Sequence, residues 1–327
     1  MPLEHAPTEE PVYNPYTGKI VGSVPIADAA AMERAIVAAG QAYQVIRKWL
    51  RFERKALLLR IATKLIERKA EFVELMIAES GKPRIYSEVE VDRAVMTFTL
   101  AAEEVTRTAG EMLPLDLSAA TVGYTALVTR VPIGVIGAIA PFNFPLNLVA
   151  HKLAPAFAIG NTVVLKPPPQ APLTAFKLVE LIYDAGLPRD ALSVIHCPVE
   201  VAEQLATDER IAMLSFTGSS AVGWHLKSIV GKKRVALELG GNAAAVVCDD
   251  ANIEWAAKRC ALGAFAQAGQ VCIKVQRVLV DRKIYDGFAG ALLEQTRALG
   301  VGDPSDPKTV VGPIIDERSA DRIMEWI

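Results

Sequence analysis

The feature that most constrains the fold is a repeated order of apolar strand, turn and helix between residues 134 and 247. The segments predicted as strands are Gly134–Ile139, Thr162–Leu165, Ser193–Ile195, Ala212–Phe216, Arg234–Leu239 and Ala244–Val247. Helical patterns separate most of them, for example Leu146–Ala158 and Leu173–Ala185. Because such alternation joins strands through helical crossovers, it predicts an α/β fold with a doubly wound, mainly parallel sheet.

The chain before this repeat has a different pattern. Apolar residues at helical spacing predict helices over about 28–43, 58–80 and 87–110, the first of them capped by Asp28. In 121–130, apolar residues alternate with threonines, which indicates an exposed β-ribbon.

Composition restricts the possible functions. Hydrophobic residues make up 51% and charged residues 22% of the 327, which is typical of a soluble globular protein with a substantial core. A net charge of −2 without a basic stripe disfavours nucleic acid as a partner. The N-terminus lacks the pattern of a signal peptide, and the longest apolar stretch, 131–140, is too short to span a membrane. We therefore expect a cytoplasmic protein that acts on small molecules.

Polar residues cluster just after several predicted strands. They are Asn143, Lys166, the run Thr217–Ser220 and Glu238. Because a doubly wound sheet binds ligands at the carboxyl ends of its strands, we expect these side chains to surround one site.

Cys272 is the candidate nucleophile. It lies in Ala-Gly-Gln-Val-Cys-Ile, between a predicted helix and a predicted strand, and a thiol on such a turn can be accessible and reactive. The alternative is a small buried apolar residue, which is the commoner role of a cysteine. The other cysteines, Cys197, Cys248 and Cys260, lack this loop context and are interpreted as structural. The cysteines and histidines show no spacing typical of metal ligands, so we expect no metal.

Glu238 and Asn143 each have two interpretations. Glu238, at the end of an apolar strand, suits a general base, but a charge-paired carboxylate at a strand end is equally consistent with its position. Asn143, in Pro-Phe-Asn-Phe-Pro before a helix, could donate to an oxyanion, whereas helix capping is the commoner role of Asn there.

Two further segments suit an anionic ligand. Gly218 to Gly223 form a strand–glycine–helix turn, which exposes backbone N–H groups to a phosphate, although the turn matches neither a G-x-G-x-x-G motif nor a P-loop. Lys166 precedes a stiff run of three prolines that could hold its ammonium near a ribose or phosphate. A solvated lysine is the commoner explanation.

Taken in order, the motifs Pro-Phe-Asn-Phe-Pro, Lys-Pro, Phe-Thr-Gly-Ser, Leu-Glu-Leu-Gly-Gly-Asn and Gly-Gln-Val-Cys resemble the NAD(P)-dependent aldehyde dehydrogenase superfamily. The likeness extends from about Tyr13 to Pro313. The segments around 141–152 and Cys272 are most similar to the branch of lactaldehyde and non-phosphorylating glyceraldehyde-3-phosphate dehydrogenases.

The resemblance implies a mechanism. Cys272 would attack the aldehyde, Asn143 and the Cys272 N–H would hold the oxyanion, hydride would pass to the nicotinamide, and Glu238 would activate water to hydrolyse the thioester. The residues that would line the cofactor site are Phe142, Lys166, Pro169, Gly218, Ser219 and Gly223. Val271, beside the nucleophile, is apolar and disfavours an anion-binding group at that spot.

The resemblance also implies the domain organisation. Residues 1–120 and 139–240 would form a Rossmann-like cofactor domain, 121–138 an oligomerisation ribbon, and 241–327 the first part of a second α/β catalytic domain. The family's remaining catalytic segment, with its Glu-x-Phe-Gly-Pro motif for the nicotinamide ribose, does not follow Ile327, so we expect a truncated chain. A homodimer or homotetramer is expected of the full-length protein.

One departure from the family concerns the cofactor. Where the family often has an acidic residue three positions after the lysine, this chain has Pro169. Without that carboxylate a 2′-phosphate meets no repulsion and Lys166 can attract it, so we predict that NADP is accepted, with preference for NADP over NAD left open at this point.

Two alternatives remain open. A CoA-acylating relative would pass the acyl group to CoA, but Glu238 in its usual motif position favours water as the acceptor. An inactive truncated fragment would serve only as a binding or assembly module, and the intact Cys272, Glu238 and Asn143 argue against it.

Overall fold

The structure, a computed structural model, describes residues 8–108 and 110–326. Residues 1–7, part of the segment in which the sequence predicts no signal peptide, lie outside the described residues. The strands are β1 (Glu9–Tyr13), β2 (Ile20–Pro25), β3 (Glu111–Pro114), β4 (Thr125–Val128), β5 (Val135–Ile139), β6 (Thr162–Lys166), β7 (Leu192–Val194), β8 (Ile211–Thr217), β9 (Arg234–Glu238), β10 (Ala244–Val247) and β11 (Arg277–Val280). The α-helices are α1 (Ala29–Ile46), α2 (Arg51–Glu67), α3 (Lys69–Ser80), α4 (Arg84–Arg107), α5 (Asn147–Ala158), α6 (Leu173–Asp184), α7 (Val199–Ala202), α8 (Gln204–Thr207), α9 (Ser220–Ile229), α10 (Ile253–Phe265), α11 (Tyr285–Arg297) and α12 (Glu317–Met324).

The main sheet consists of five parallel strands in the order β7-β6-β5-β8-β9. The chain starts at β5, moves outward through β6 and β7, and then returns to the other side of β5 for β8 and β9. This reversal confirms the doubly wound parallel sheet predicted from the sequence. It also places the switch point, where such sheets bind ligands, between the carboxyl ends of β5 and β8.

Both faces of the sheet are covered by helices. On one face, Ile136, Val163 and Leu165 share a buried core with residues of α2 to α6. On the other face, Val135 and Val164 pack with residues of α1, α8 and α9. Neighbouring residues of a strand point to opposite faces, so a strand buried on both sides is apolar throughout rather than alternating, which is the pattern seen in the sequence.

The N-terminal helices depart from the prediction at one point. The sequence pattern predicts one helix up to Gly81, but the structure has two, α2 and α3, separated at Arg68. Arg68 leaves helical geometry with φ −104° and ψ 18°. Leu65 and Phe72, on either side of the break, are both fully buried, so the apolar spacing alone does not reveal it.

The ribbon is displaced from its predicted position. The prediction of a ribbon over 121–138 is wrong in its bounds, because β4 pairs antiparallel with β3 and the hairpin therefore spans 111–128. The connection between β3 and β4 includes a short 3₁₀ turn at Ala119–Thr121. The predicted range also includes most of β5, which belongs to the main sheet as its central strand and not to the hairpin. The role of the hairpin in oligomerisation stays a prediction.

A smaller layer follows the main sheet. Strands β10 and β11 pair in parallel, and α10 and α11 pack against them around Val247, Ala257, Cys260 and Phe288. This separate core starts close to residue 241, where the sequence predicts the second domain. Across 8–108 and 110–326, no helix is both long and apolar enough to cross a membrane.

Candidate active site

The loop between β5 and α5 carries Asn143 at the switch point. Helix α5 begins at Asn147 and its N-cap position is Leu146, so the helix-capping interpretation of Asn143 is wrong. Instead, Asn143 Nδ2 donates a hydrogen bond to the carbonyl oxygen of Gln270 at 2.8 Å. A side-chain amide has two N–H donors, so one remains available to a ligand.

The loop that precedes Cys272 has an unusual backbone. After α10 it turns through Gln267 and Ala268, whose φ angles are 54° and 55°, and Gly269, whose φ is 67°. The left-handed region costs a non-glycine residue roughly 1–2 kcal/mol. Hydrogen bonds compensate this strain: Gln267 Nε2 donates to the Asn143 carbonyl at 2.5 Å, and Gln270 Oε1 accepts from the Ile315 N–H at 3.0 Å.

Glu238 is the last residue of β9 and reaches the same region. The Gly218 N–H donates to the Glu238 carbonyl at 3.0 Å, which joins the loops after β8 and β9. A Cβ at Gly241 would lie 3.2 Å from the Cys272 carbonyl oxygen, so glycine allows the Glu238 loop to approach the nucleophile loop closely. The Glu238 side chain is exposed.

These loops surround one cavity of about 870 Å³. The residues predicted from the sequence that line it are Phe142, Asn143, Lys166, Pro169, Gly218, Ser219, Glu238 and Cys272. Cys272 is exposed within the lining, so the interpretation of a buried structural thiol is wrong. The carboxyl ends of β5, β6, β8 and β9 and the loop after α10 therefore bring together residues as far apart in the sequence as Phe142 and Cys272.

One predicted cofactor residue needs correction. Gly223 lies on α9, buried behind the cavity, and is not among the described residues that line it. A Cβ there would clash with the side chain of Leu239 and crowd the ring of Phe216. This glycine lets α9 pack closely against the end of β9, whereas Ser219 caps the helix and lines the cavity.

Lys166 lines the cavity. Its side chain is buried, and Nζ donates to the Pro167 carbonyl at 3.2 Å, so the interpretation as a solvated lysine is wrong. Burial lowers the pKa of Lys166. Pro169, three residues further on, is exposed where it lines the same cavity.

A second lysine was missed in the sequence. Lys152 lies buried on α5 and donates to Ser215 Oγ at 3.1 Å and Thr217 Oγ1 at 2.8 Å. Burial lowers the pKa of Lys152 to about 7, against the opposing influence of the negative charge of Glu238. A lysine within an otherwise apolar helix face was the available signal, since a charge is rarely buried without a function or a partner.

The remaining cysteines divide into two groups. Cys197 and Cys260 are buried, whereas Cys248 is exposed, and the interpretation of these three cysteines as structural stays a prediction. In the described part of the chain, no group of three or more His, Cys, Asp or Glu residues is placed to hold a metal ion.

A smaller apolar cavity, of about 160 Å³, adjoins the nucleophile loop through Val271, which lines both cavities. It is also lined by Arg93 and Phe144, with the Arg93 guanidinium 5.7 Å from the centre of the Phe144 ring. The pKa of nearby His151 is lowered by burial and then by the charges of Arg93 and Lys152. Arg93 therefore places a positive charge in the lining of the small cavity, which Glu90 also lines, a feature that the sequence did not reveal.

The fold and the cavity define a doubly wound α/β protein with an accessible thiol at the ligand-binding edge of its sheet. The sequence model of the aldehyde dehydrogenase family matches residues 3–327, and this chain belongs to that family. The curated relatives include 3-sulfolactaldehyde dehydrogenase of Priestia aryabhattai, 40% identical over 317 residues that cover 97% of this chain and 66% of the relative. Lactaldehyde dehydrogenase of Methanocaldococcus jannaschii is 36% identical over 321 residues, covering 97% of this chain and 67% of the relative.

Solved structures agree with this assignment. Aldehyde dehydrogenase 21 of Physcomitrella patens, in complex with its product succinate, matches 100% of this chain and 68% of its own with a TM-score of 0.95 at 38% identity. Glyceraldehyde-3-phosphate dehydrogenase GapN of Methanocaldococcus jannaschii, complexed with NADP, matches 98% of this chain and 70% of its own with a TM-score of 0.93 at 35% identity. The chain thus spans about two thirds of the length of these relatives. The resemblance to the lactaldehyde and glyceraldehyde-3-phosphate dehydrogenase branch is confirmed.

Proposed function

We propose that this chain carries the thiol, oxyanion and general-base groups that oxidise an aldehyde to a carboxylic acid with a nicotinamide cofactor. One observation carries the proposal: Cys272, Asn143 and Glu238, from three separate segments, line one cavity that Lys166 and Ser219 also line. A nucleophile, an amide donor and a carboxylate in one cavity are the groups that acyl chemistry on a thiol requires.

The cavity residues fit a dinucleotide. A volume of about 870 Å³ lies in the range of small-molecule sites. Ser219 caps the N-terminus of α9, where the first backbone N–H groups and the helix dipole favour a phosphate. Lys166 supplies a cation in the same wall. A nicotinamide cofactor bound there would supply the hydride acceptor.

Cys272, Asn143 and Glu238 each have a separate role in the reaction. The Cys272 thiolate attacks the aldehyde carbon, forming a C–S bond and an oxyanion that the free N–H of Asn143 Nδ2 stabilises. Loss of hydride from that carbon leaves a thioester. Glu238 takes a proton from water, whose oxygen attacks the thioester and releases the acid and the Cys272 thiolate.

We infer that NADP is accepted and preferred over NAD. Pro169, exposed in the cavity lining, puts no carboxylate where a 2′-phosphate would be repelled, and Lys166 offers a positive charge nearby. The complex of the M. jannaschii GapN with NADP supports this inference.

The substrate is proposed to be a small aldehyde with an anionic group. Arg93, beside Phe144 in the small cavity, places a positive charge near the nucleophile loop. Of the four relatives described above, three are named with an anionic substrate or product (3-sulfolactaldehyde, succinate and glyceraldehyde-3-phosphate), and the fourth is named for the neutral lactaldehyde. Arg93 therefore supplies the positive charge for an anionic substrate, which the apolar Val271 beside the nucleophile does not provide.

The test is product analysis. The chain, supplied with NADP and a panel of small aldehydes, should form NADPH and free acid in equal amounts, and Cys272→Ala should form neither. A CoA thioester as the only product when CoA is added would instead establish the CoA-acylating alternative. Bound NADP with no Cys272-dependent product would favour the binding module.

A further inference from the structure

A buried ion pair lies beneath the Asn143 loop. Lys82 follows Gly81, which caps the end of α3 in the left-handed conformation with φ 64°, and Glu90 lies on α4. Nζ of Lys82 contacts Glu90 Oε2, and both side chains are at most 1% exposed. Burying two charges is costly, and a buried ion pair often contributes little net stability. Stability alone therefore does not explain why the pair is present at this position.

The pair is bonded to the loop at both of its ends. Nζ of Lys82 donates to the Asn143 carbonyl oxygen at 3.0 Å and lies 3.7 Å from the centre of the Phe144 ring. Oε1 of Glu90 accepts the backbone N–H groups of Leu146 and Asn147, each at 2.9 Å. One ion pair therefore holds residues 143 to 147, the complete passage from the loop into α5.

The same carbonyl also connects this loop to the nucleophile loop. Besides Lys82, the Asn143 carbonyl accepts a hydrogen bond from Gln267 Nε2 at 2.5 Å, so both of its lone pairs are used. Gln267 is one of the two non-glycine residues with positive φ before Cys272. The Asn143 side chain closes the connection by donating to the Gln270 carbonyl.

We propose that Lys82 and Glu90 are positioning residues of the reaction, because they fix the Asn143 amide against the Cys272 loop. This inference rests on the proposed function, since it assigns a role in placing the oxyanion donor. An oxyanion donor acts only when its N–H lies at hydrogen-bond distance from the developing charge. Neither side chain contacts the thiol itself; both act through Asn143.

Two reagents separate positioning of the donor from simple access to the thiol. With p-nitrophenyl acetate, the Cys272 thiolate attacks the ester carbon through a tetrahedral oxyanion, and the C–O bond breaks to release p-nitrophenolate and leave an acetyl thioester. With iodoacetamide, the thiolate displaces iodide directly, with no oxyanion. Both assays use the full chain in a Cys248→Ser background, because Cys248 is also exposed, and neither assay requires a cofactor.

The test variant is Lys82→Met with Glu90→Gln. It removes the charges together, so neither is left unpaired, and the glutamine oxygen can still accept from Leu146 and Asn147. The matched control is Lys69→Met with Asp92→Asn, an exposed ion pair between α3 and α4 with Nζ 2.6 Å from Oδ1. Thermal unfolding checks that each variant folds.

We expect the test variant to acylate Cys272 at least about tenfold more slowly, since loss of an oxyanion donor costs about 10²–10³-fold. Alkylation should stay within about twofold of the parent, and the control variant should match the parent in both reactions. Unchanged acylation, or an equal fall in both rates, would overturn the proposal.

A second variant keeps the inference testable if the double variant does not fold. Gln267→Met removes the other donor to the Asn143 carbonyl and leaves the ion pair intact, so it should show the same selective loss of acylation. Equal losses in both reactions there would overturn the proposal as well. If the parent itself acylates no faster than Cys272→Ala, the proposed function fails and this inference fails with it; a reactive parent with an unaffected variant refutes the inference alone.

Discussion

Glu79 offers a quantitative test of how the helices under the site are joined. It lies fully buried near the end of α3 and accepts hydrogen bonds from the N–H groups of Leu173 at 2.7 Å and Thr174 at 2.8 Å, which begin α6. The Thr174 hydroxyl also donates to it. These donors are neutral, and burial raises the pKa of Glu79 from 4.5 to about 7.

The sign of the effect follows from proton linkage. Between pH 4.5 and about 7 the unfolded chain releases the Glu79 proton and the folded chain keeps it, so the free energy of unfolding falls as pH rises through this interval. At about 1.4 kcal/mol per pH unit, the loss is about 3 kcal/mol and is complete above pH 7. Glu71, whose pKa is lowered to about 2, has finished its titration below this range.

The assay is urea unfolding of wild type and Glu79→Gln across this interval, with stability taken from linear extrapolation. The glutamine oxygen can still accept hydrogen bonds from the N–H groups at the start of α6, but glutamine cannot titrate. The difference in stability between the two proteins therefore reports the protonation of the Glu79 carboxyl group. The wild type should lose about 2–3 kcal/mol relative to the variant between about pH 5 and about pH 8. A pH-independent difference, or one of opposite sign, would show that the helix N–H groups hold Glu79 ionised and would contradict the prediction.

Three further predictions concern the cavity. Pro169→Glu should weaken NADP binding by about tenfold or more and leave NAD binding intact, because the new carboxylate would repel a 2′-phosphate; equal losses in a fluorescence titration would contradict this. Arg93→Met should raise KM about tenfold for an anionic aldehyde and little for a neutral one of similar size; parallel changes would exclude Arg93 as the anion partner. Thioester hydrolysis should rise through about pH 7, because Lys152 then loses the positive charge that the Glu238 carboxylate attracts; a step of the same size in Lys152→Met would contradict that assignment.

The sequence predicts the sheet well because strands that are buried on both faces are apolar throughout. Strands β5, β6 and β8 appear as short apolar runs, and the polar residues after them, Asn143 and Lys166 among them, indicate where the cavity forms. These features can be seen within short segments of the sequence. That the polar residues meet in one cavity then follows from the rule that doubly wound sheets bind ligands at the carboxyl ends of their strands.

The features that the sequence missed depend on contacts between distant segments. The pairing of β3 with β4 sets the hairpin at 111–128, although the alternating pattern appears only in its second half. The bond from Gln267 to the Asn143 carbonyl spans 124 positions, and nothing local marks it. Gly223 belongs to a segment whose sequence resembles a phosphate-binding turn, but in the structure it lies on α9 and serves helix packing. Glycine is equally suited to close approach by a ligand and by Leu239, so the sequence does not separate the two roles.

The roles of Cys272 and Glu238 are tested by the amount of NADPH that Glu238→Gln forms in a rapid-mixing experiment with NADP and an anionic aldehyde. If Cys272 forms the thioester and Glu238 activates the water, the variant should form one NADPH per Cys272 and then stop. Mass spectrometry should find the acyl group on Cys272, and Cys272→Ala should form no NADPH. Continued turnover of Glu238→Gln at the wild-type rate, or NADPH formation by Cys272→Ala, would contradict the account.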